Sequence, residues 1–199
     1  MTLITPISAP APAQTGAIKS DPDEALRLRI ADGDQKALAE FMDRHMAKIH
    51  STAYRMLGDQ MQAEDVTQMV FLKLWQIAPT WETGRAKILT YLYKVTTHRC
   101  LDILRKSKES LPGEMDELID DSPDALAQIT QKEKSASIQE TLTSLPHRQR
   151  AALTLFYYEH HSLKTAADMM NVTPAAFESL LRRARQSLKS LLPHENVEL

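Results

Sequence analysis

Apolar residues recur every three to four positions through most of this 199-residue chain, the spacing of helices that each bury one face. Asp21-Pro22 can open a helix running to about Ala31, since Asp accepts from first-turn N–H groups and Pro suits the first position. The turn Asp32-Gly33-Asp34 leads into a second helix, about Gln35 to Leu57, with Leu38, Phe41, Met42, Ile49, Ala53 and Met56 on a buried stripe. Gly58 is its natural stop, because Gly takes the left-handed conformation that ends helices. A third helix contains QAEDVTQMVFLKLW (62–75) and runs through Ala78, where Pro79 breaks it. A fourth spans about Ala86 to Lys106. No stretch alternates apolar and polar residues as a half-buried strand does, so the reading is all-α.

The last third carries a more specific pattern. In SLKTAADMMNVTPAAFESLLRRARQSLKSLL a short helix, about Leu163 to Met170, leads through a three-residue turn into a longer one. Asn171 suits a positive-φ turn position. Thr173 can cap the second helix and Pro174 fits its first turn. Ala166 and Ala167 are small enough for two helices to cross closely, and Val172, Phe177, Leu181, Ala184 and Leu188 pack the second back on the first. This is the helix-turn-helix pattern, though many αα-hairpins share it.

Charge divides the chain. Its net charge of −2 conceals segregation. Between 85 and 108, Arg85, Lys87, Lys94, Arg99, Arg105, Lys106 and Lys108 face a single acid, Asp102. ESLPGEMDELIDDSPD (109–124) then has acids, Pro and Gly but no base, a linker composition. Basic helical character returns with Arg148, Arg150, Lys164, Arg182, Arg183, Arg185 and Lys189. The expected organisation is two basic helical modules on an acidic tether: an N-terminal arm at 1–22, disordered because it is rich in Pro, Ala, Ser and Thr; a first module at 23–108; a linker at 109–131; a second module at 132–193; and a tail at 194–199. A single bundle with an acidic loop is the alternative. No apolar run approaches the ~20 residues of a membrane span. The start lacks a basic residue before Lys19, so it does not read as a secretory signal.

On a helical wheel of the fourth helix, Leu89, Leu92, Val95, Thr96, Cys100 and Ile103 form a core stripe. Lys87, Tyr91, Lys94, His98 and Arg105 fall on the other side. Cations there can neutralise phosphates and rings can stack on unpaired bases; a solvated basic face has the same pattern. The lone cysteine, Cys100, excludes an internal disulfide and reads as a small core residue. The histidines lack ligand spacing: His160 and His161 would point apart on a helix, and His45 and His50 are five residues apart. The sequence offers no metal site, no Gly-rich phosphate loop and no catalytic arrangement, so neither an enzyme nor a cofactor is expected.

Three stretches then align with one family. QAEDVTQMVFLKLW (62–75), LTYLYKVTTHRCLDILRK (89–106) and LPHRQRAALTLFYYEHHSLKTAADMMNVTPAAFESLLRRARQSL (145–188) resemble, in order and spacing, the motifs of bacterial extracytoplasmic-function (ECF) sigma factors of the sigma-70 family. The resemblance covers roughly 23–108 and 132–193. It implies two helical domains, a region 2 bundle and a region 4 helix-turn-helix, in a non-catalytic cytoplasmic subunit. Such a subunit binds core RNA polymerase, recognises and melts promoter DNA, and is restrained by an anti-sigma factor. No small-molecule substrate and no membrane insertion are implied.

By the same resemblance, Glu64, Asp65, Gln68 and Leu72 would dock on core polymerase, while Phe71 and Trp75 anchor the fold. Acids in a first turn also favour the helix dipole without any partner. Trp81, Arg85, Lys87, Tyr91, Lys94, His98 and Arg105 match the part that reads and opens the −10 element. Tyr91 stands for a family tryptophan, His98 for an asparagine, and Trp81 is either a core anchor or a base platform. Thr173, Ala175, Glu178, Ser179, Arg182, Arg183 and Arg185 match the reader of the −35 element. Glu178 and Leu180 replace a family lysine and arginine, so the family's base preference does not transfer. A sigma-like decoy that only sequesters an anti-sigma factor, and a plain helix-turn-helix regulator, are the rival readings.

Overall fold

The computed structural model describes residues 21–84, 86–109 and 138–191. Residues 1–20 of the arm expected at 1–22, Arg85, residues 110–131 of the expected linker, 132–137, and 192–199 with the expected tail lie outside the described residues, whereas Asp21 and Pro22 cap and open the first helix and Glu109 ends the fourth. Every regular element among the described residues is helical: α1 (Pro22–Ala31), α2 (Gln35–Leu57), α3 (Gln60–Ile77), a 3₁₀ turn (Ala78–Thr80), α4 (Ile88–Glu109), α5 (138–143), α6 (His147–Leu153), a π turn (Thr154–Tyr158), α7 (Leu163–Met169) and α8 (Pro174–Leu191).

Local chemistry explains the boundaries. Carboxylates start three helices: Asp21 accepts from the Asp23 N–H, Asp34 from Lys36 and Ala37, and Asp59 from Gln62. Each thereby satisfies donors that have no partner within the helix. Asp34 is held below the usual carboxylate range by its hydrogen bond from Arg29 and then by that from Ala37. Ser162 and Thr173 cap α7 and α8 in the same way, accepting from Thr165 and Ala176. Asn171 has the expected positive φ of 57°. Helix α4 begins two residues later than the pattern predicts and runs three residues further, to Glu109.

The first four helices form a bundle. Helix α2 packs against α1, α3 and α4, burying Leu26, Ile30, Phe41, Ile49, Met56, Val70, Phe71, Leu74 and Leu92. Burial on this scale is the main stabilising term. Arg27, 2% exposed, ties the bundle to the segment before α4. Its guanidinium donates to the Ala78 carbonyl at 2.9 Å, to the Thr83 hydroxyl at 3.1 Å and to both Glu24 oxygens. In the second module α6, α7 and α8 pack around Ala166, Ala167, Met169, Phe177, Leu181 and Ala184.

The two modules are in contact. One buried cluster continues from Leu26 to Ala184, and α2 and α4 pack against α6, α7 and the π turn. His160 and His161, read as helical, instead lie in the loop that follows the bend at Glu159, with His160 at φ 53°. The wide π turn ends the helical path at Tyr158, and the chain reverses before Ser162 caps α7.

Candidate nucleic-acid and protein interfaces

The exposed edge of α3 follows from its period. Ala63, Val66, Val70, Phe71 and Leu74 are buried, which turns Glu64, Asp65, Gln68 and Leu72 to solvent. Phe71 is a core residue and Trp75 packs against the core, as expected. Glu64 accepts from Gln60 at 3.0 Å, whereas the capping acceptor is Asp59. The acids at 64 and 65 are therefore not spent on the helix start. Leu72 is 65% exposed and Met61 75%, and residues 61, 65, 68 and 72 share one face at helical spacing. Met61 was missed in the sequence; its signal was an apolar residue in register with Asp65 and Leu72 but off the core stripe. Beside this edge, a groove of about 300 Å³ is lined by Gln62, Asp65, Val66, Met69, Arg99 and Ile103.

Helix α4 departs from the wheel. Leu92, Val95, Thr96 and Cys100 are buried as expected, and burial pushes the Cys100 thiol up to about 12. Tyr91, expected on the outward row, is 8% exposed. Its ring lies 5.1 Å from that of Trp81, and burial raises its phenol pKa. The correction has a packing cause: the segment before α4 folds Trp81 over the start of that helix, making Tyr91 part of the bundle. Tyr93 and Thr97 are buried too, because the second module covers that side. The His98 ring donates to the Met169 backbone; burial, then Lys94, lowers its pKa. Lys87 and Arg105 remain exposed, with Lys87 3.2 Å from Asp21 and Arg105 3.7 Å from Asp102. Lys94 is half-buried.

On α8, Phe177, Leu181 and Ala184 face inward, which leaves Thr173, Ala175, Glu178, Arg182 and Arg185 exposed. Ser179 and Arg183 are half-buried and joined by a 3.3 Å hydrogen bond. Arg185 donates to the Tyr157 hydroxyl at 2.6 Å and lies over that ring, so one cation of this face is held by the π turn. Thr173 caps α8. Leu180 is half-buried against the core, which accounts for an apolar residue there. Among the described residues there is no cluster of side chains that could hold a metal ion, and no helix is long and apolar enough to cross a membrane.

The sequence and backbone match known proteins. Residues 41–110 match the sigma-70 region 2 family model and residues 135–188 the sigma-70 region 4 model. The chain is 27% identical over 175 residues to the ECF RNA polymerase sigma factor SigW of Bacillus subtilis, covering 82% of this chain and 93% of that protein. It is 29% identical over 186 residues to the ECF sigma factor SigE of Mycolicibacterium smegmatis, covering 90% and 72%. Among solved structures, CnrH in complex with the cytosolic domain of CnrY matches with TM-score 0.64 at 20% identity, over 85% of this chain and 96% of that one. The sigma factor RpoE of Bartonella quintana, in complex with the anti-sigma factor NepR, matches with TM-score 0.61 at 20% identity, over 81% and 99%.

Proposed function

The chain belongs to the ECF sigma factors of the sigma-70 family, and from that premise we propose that it is an alternative sigma factor acting in the cytoplasm. It binds core RNA polymerase, directs it to promoters and assists their opening, without itself catalysing a reaction. The observation that carries this is the presence on one chain, in order, of modules matching regions 2 and 4.

The geometry supports a division of labour. The exposed edge of Met61, Glu64, Asp65, Gln68 and Leu72 joins apolar area to carboxylates, a composition suited to a protein partner. Lys87, Lys94 and Arg105, with Arg85 from the preceding segment, supply cations for the −10 strand, His98 adds a neutral ring among them, and Trp81 packed on Tyr91 supports the loop beside them. Trp81 is thus read as a core anchor. Arg182, Arg183 and Arg185 supply phosphate contacts for the −35 element, while Glu178, exposed on α8, can accept from a cytosine amino group. The solved structure of RpoE bound to the anti-sigma factor NepR supports an anti-sigma factor as a further partner.

Run-off transcription with purified core polymerase on promoter-containing templates tests the proposal. Discrete start sites that require the chain are expected. DNA binding without core, and no added initiation, would instead identify a plain helix-turn-helix regulator; neither activity would identify a decoy.

A further inference from the structure

We infer that Glu178 is a specificity-determining residue of α8, selecting a C·G base pair at one position of the −35 element by accepting from the cytosine N4 amino group. The inference deepens the sigma-factor reading and rests on it.

The packing of α8 places this acid. Phe177, Leu181 and Ala184 are buried where α8 meets α6 and α7, and Leu180 is half-buried against the same core. Ala175, Glu178, Arg182, Arg185 and Lys189 follow one another at steps of three and four and are all exposed, so they form one outward row. That row is divided by charge. Its first half holds a small apolar residue and the single acid of the helix, and its second half holds three cations. In a helix-turn-helix the N-terminal residues of the recognition helix meet base edges, whereas cations neutralise phosphates. An acid among phosphates would be repelled; as the fifth residue of α8, Glu178 falls on the base-reading half instead. No local role accounts for it. Thr173 already caps α8, accepting from the Ala176 N–H at 3.2 Å, and Glu178 lies beyond the first turn, where the helix dipole fades. Arg182 stands one turn on, yet among the described residues the Glu178 side chain takes part in no hydrogen bond or ion pair.

The chemistry of the carboxylate picks the base. It can only accept. On the major-groove edge guanine offers N7 and O6 and thymine offers O4, all acceptors that would face the carboxylate oxygens with like partial charge. Adenine sets an N7 acceptor beside its N6 donor, an edge suited to an amide that both accepts and donates. Cytosine alone presents a donor with no acceptor beside it. A wrong base leaves the carboxylate desolvated and unpaired, and that penalty discriminates. Arg182 and Arg185 lie about 6 and 10 Å further along the axis at 1.5 Å per residue, near enough to offset the repulsion between the acid and flanking phosphates.

Selection of initiating templates by the reconstituted holoenzyme, from a pool with the −35 element randomised, tests this. The wild type is expected to enrich C·G at one position at least fivefold over each other pair. Glu178→Gln should move the preference at that position to A·T, because an amide pairs with adenine N6 and N7, and Glu178→Lys should move it to G·C. Preferences at the other positions should stand. Because Glu178 is exposed, neither substitution threatens the fold. A wild type that enriches cytosine at no position, or a cytosine preference that survives both substitutions, overturns the inference. If no template initiates, the sigma-factor reading fails, while the same selection by duplex binding to the free full-length chain still decides what Glu178 reads.

Discussion

Replacing Gly58 by Ala is expected to incur two separable costs. The residue ends α2 at φ 75°, where an L side chain costs about 1–2 kcal/mol. The added Cβ would also lie 2.4 Å from the Thr143 Cγ2, closer than carbon atoms approach, and such overpacking typically costs about 1–3 kcal/mol. Together they amount to about 2–5 kcal/mol, and at the midpoint of that range the melting temperature falls by about 7–14 °C for a chain of this size. The second cost disappears if the methyl is removed. Thr143→Ser deletes Cγ2 while keeping the hydroxyl that donates to the Glu140 carbonyl at 2.8 Å. The double variant should therefore regain about 1–3 kcal/mol relative to additivity, leaving only the backbone penalty. Thermal and urea unfolding of the four proteins in the cycle measure this. Strict additivity would refute the packing of Thr143 on Gly58, and with it the seating of the second module on α2.

Three further outcomes are expected. Arg27→Met leaves the Ala78 carbonyl and Glu24 without their partner, and should destabilise the fold by about 2–4 kcal/mol in urea titration, below the full value for a buried pair because Glu24 keeps 20% exposure; a loss under about 0.5 kcal/mol would contradict its role as the tie between α1 and the segment before α4. Leu72→Glu, at a site 65% exposed, should change stability by no more than about 0.5 kcal/mol while weakening core polymerase binding at least tenfold in a gel-filtration or fluorescence titration, and undiminished binding would remove α3 as the docking edge. Burial, followed by Lys94, lowers the His98 pKa against the opposing effects of Asp102 and the Met169 backbone; burial also lowers that of His161 against Glu159. The separated modules bind these protons more readily, so closure is fully favoured above the ordinary histidine pKa of about 6.5 and weakens as pH falls below it. The radius of gyration should therefore be larger at acid pH than above neutrality, and an equal or smaller radius would contradict the sign.

Helix limits and caps were legible because their causes are local. Asp21 and Thr173, read as caps, accept from N–H groups two or three residues away, Asp34 and Asp59, not read as caps, do the same, and Gly58 and Asn171 take their positive φ where a helix or turn requires it. The α3 edge was legible for the same reason, since one core stripe determines which residues remain outside. Helix α4 was only half legible. A wheel reveals one buried stripe, but Tyr91 is covered by Trp81 from the preceding segment, and Tyr93 is covered by Glu159 and His161 from more than sixty residues away. No local periodicity encodes a second partner. The chain reversal at Glu159 and His160 was equally hidden, because HRQRAALTLFYYEH (147–160) keeps helical composition while the backbone widens into a π turn at Thr154–Tyr158.

A sigma factor of this kind needs the cations of α4 to act in opening DNA. Lys94→Gln with Arg105→Gln removes two of them, and the Arg105–Asp102 pair lost with them is exposed at 3.7 Å and worth under about 1 kcal/mol. Permanganate footprinting of the −10 region by the reconstituted holoenzyme, repeated across a salt series, reads the effect. Opening is expected to fall sharply while core binding persists, and the dependence of DNA binding on log salt should become shallower by about 1.4 if both cations neutralise single-strand phosphates. Unchanged opening, with an unchanged salt slope, would exclude α4 as the surface that opens the promoter.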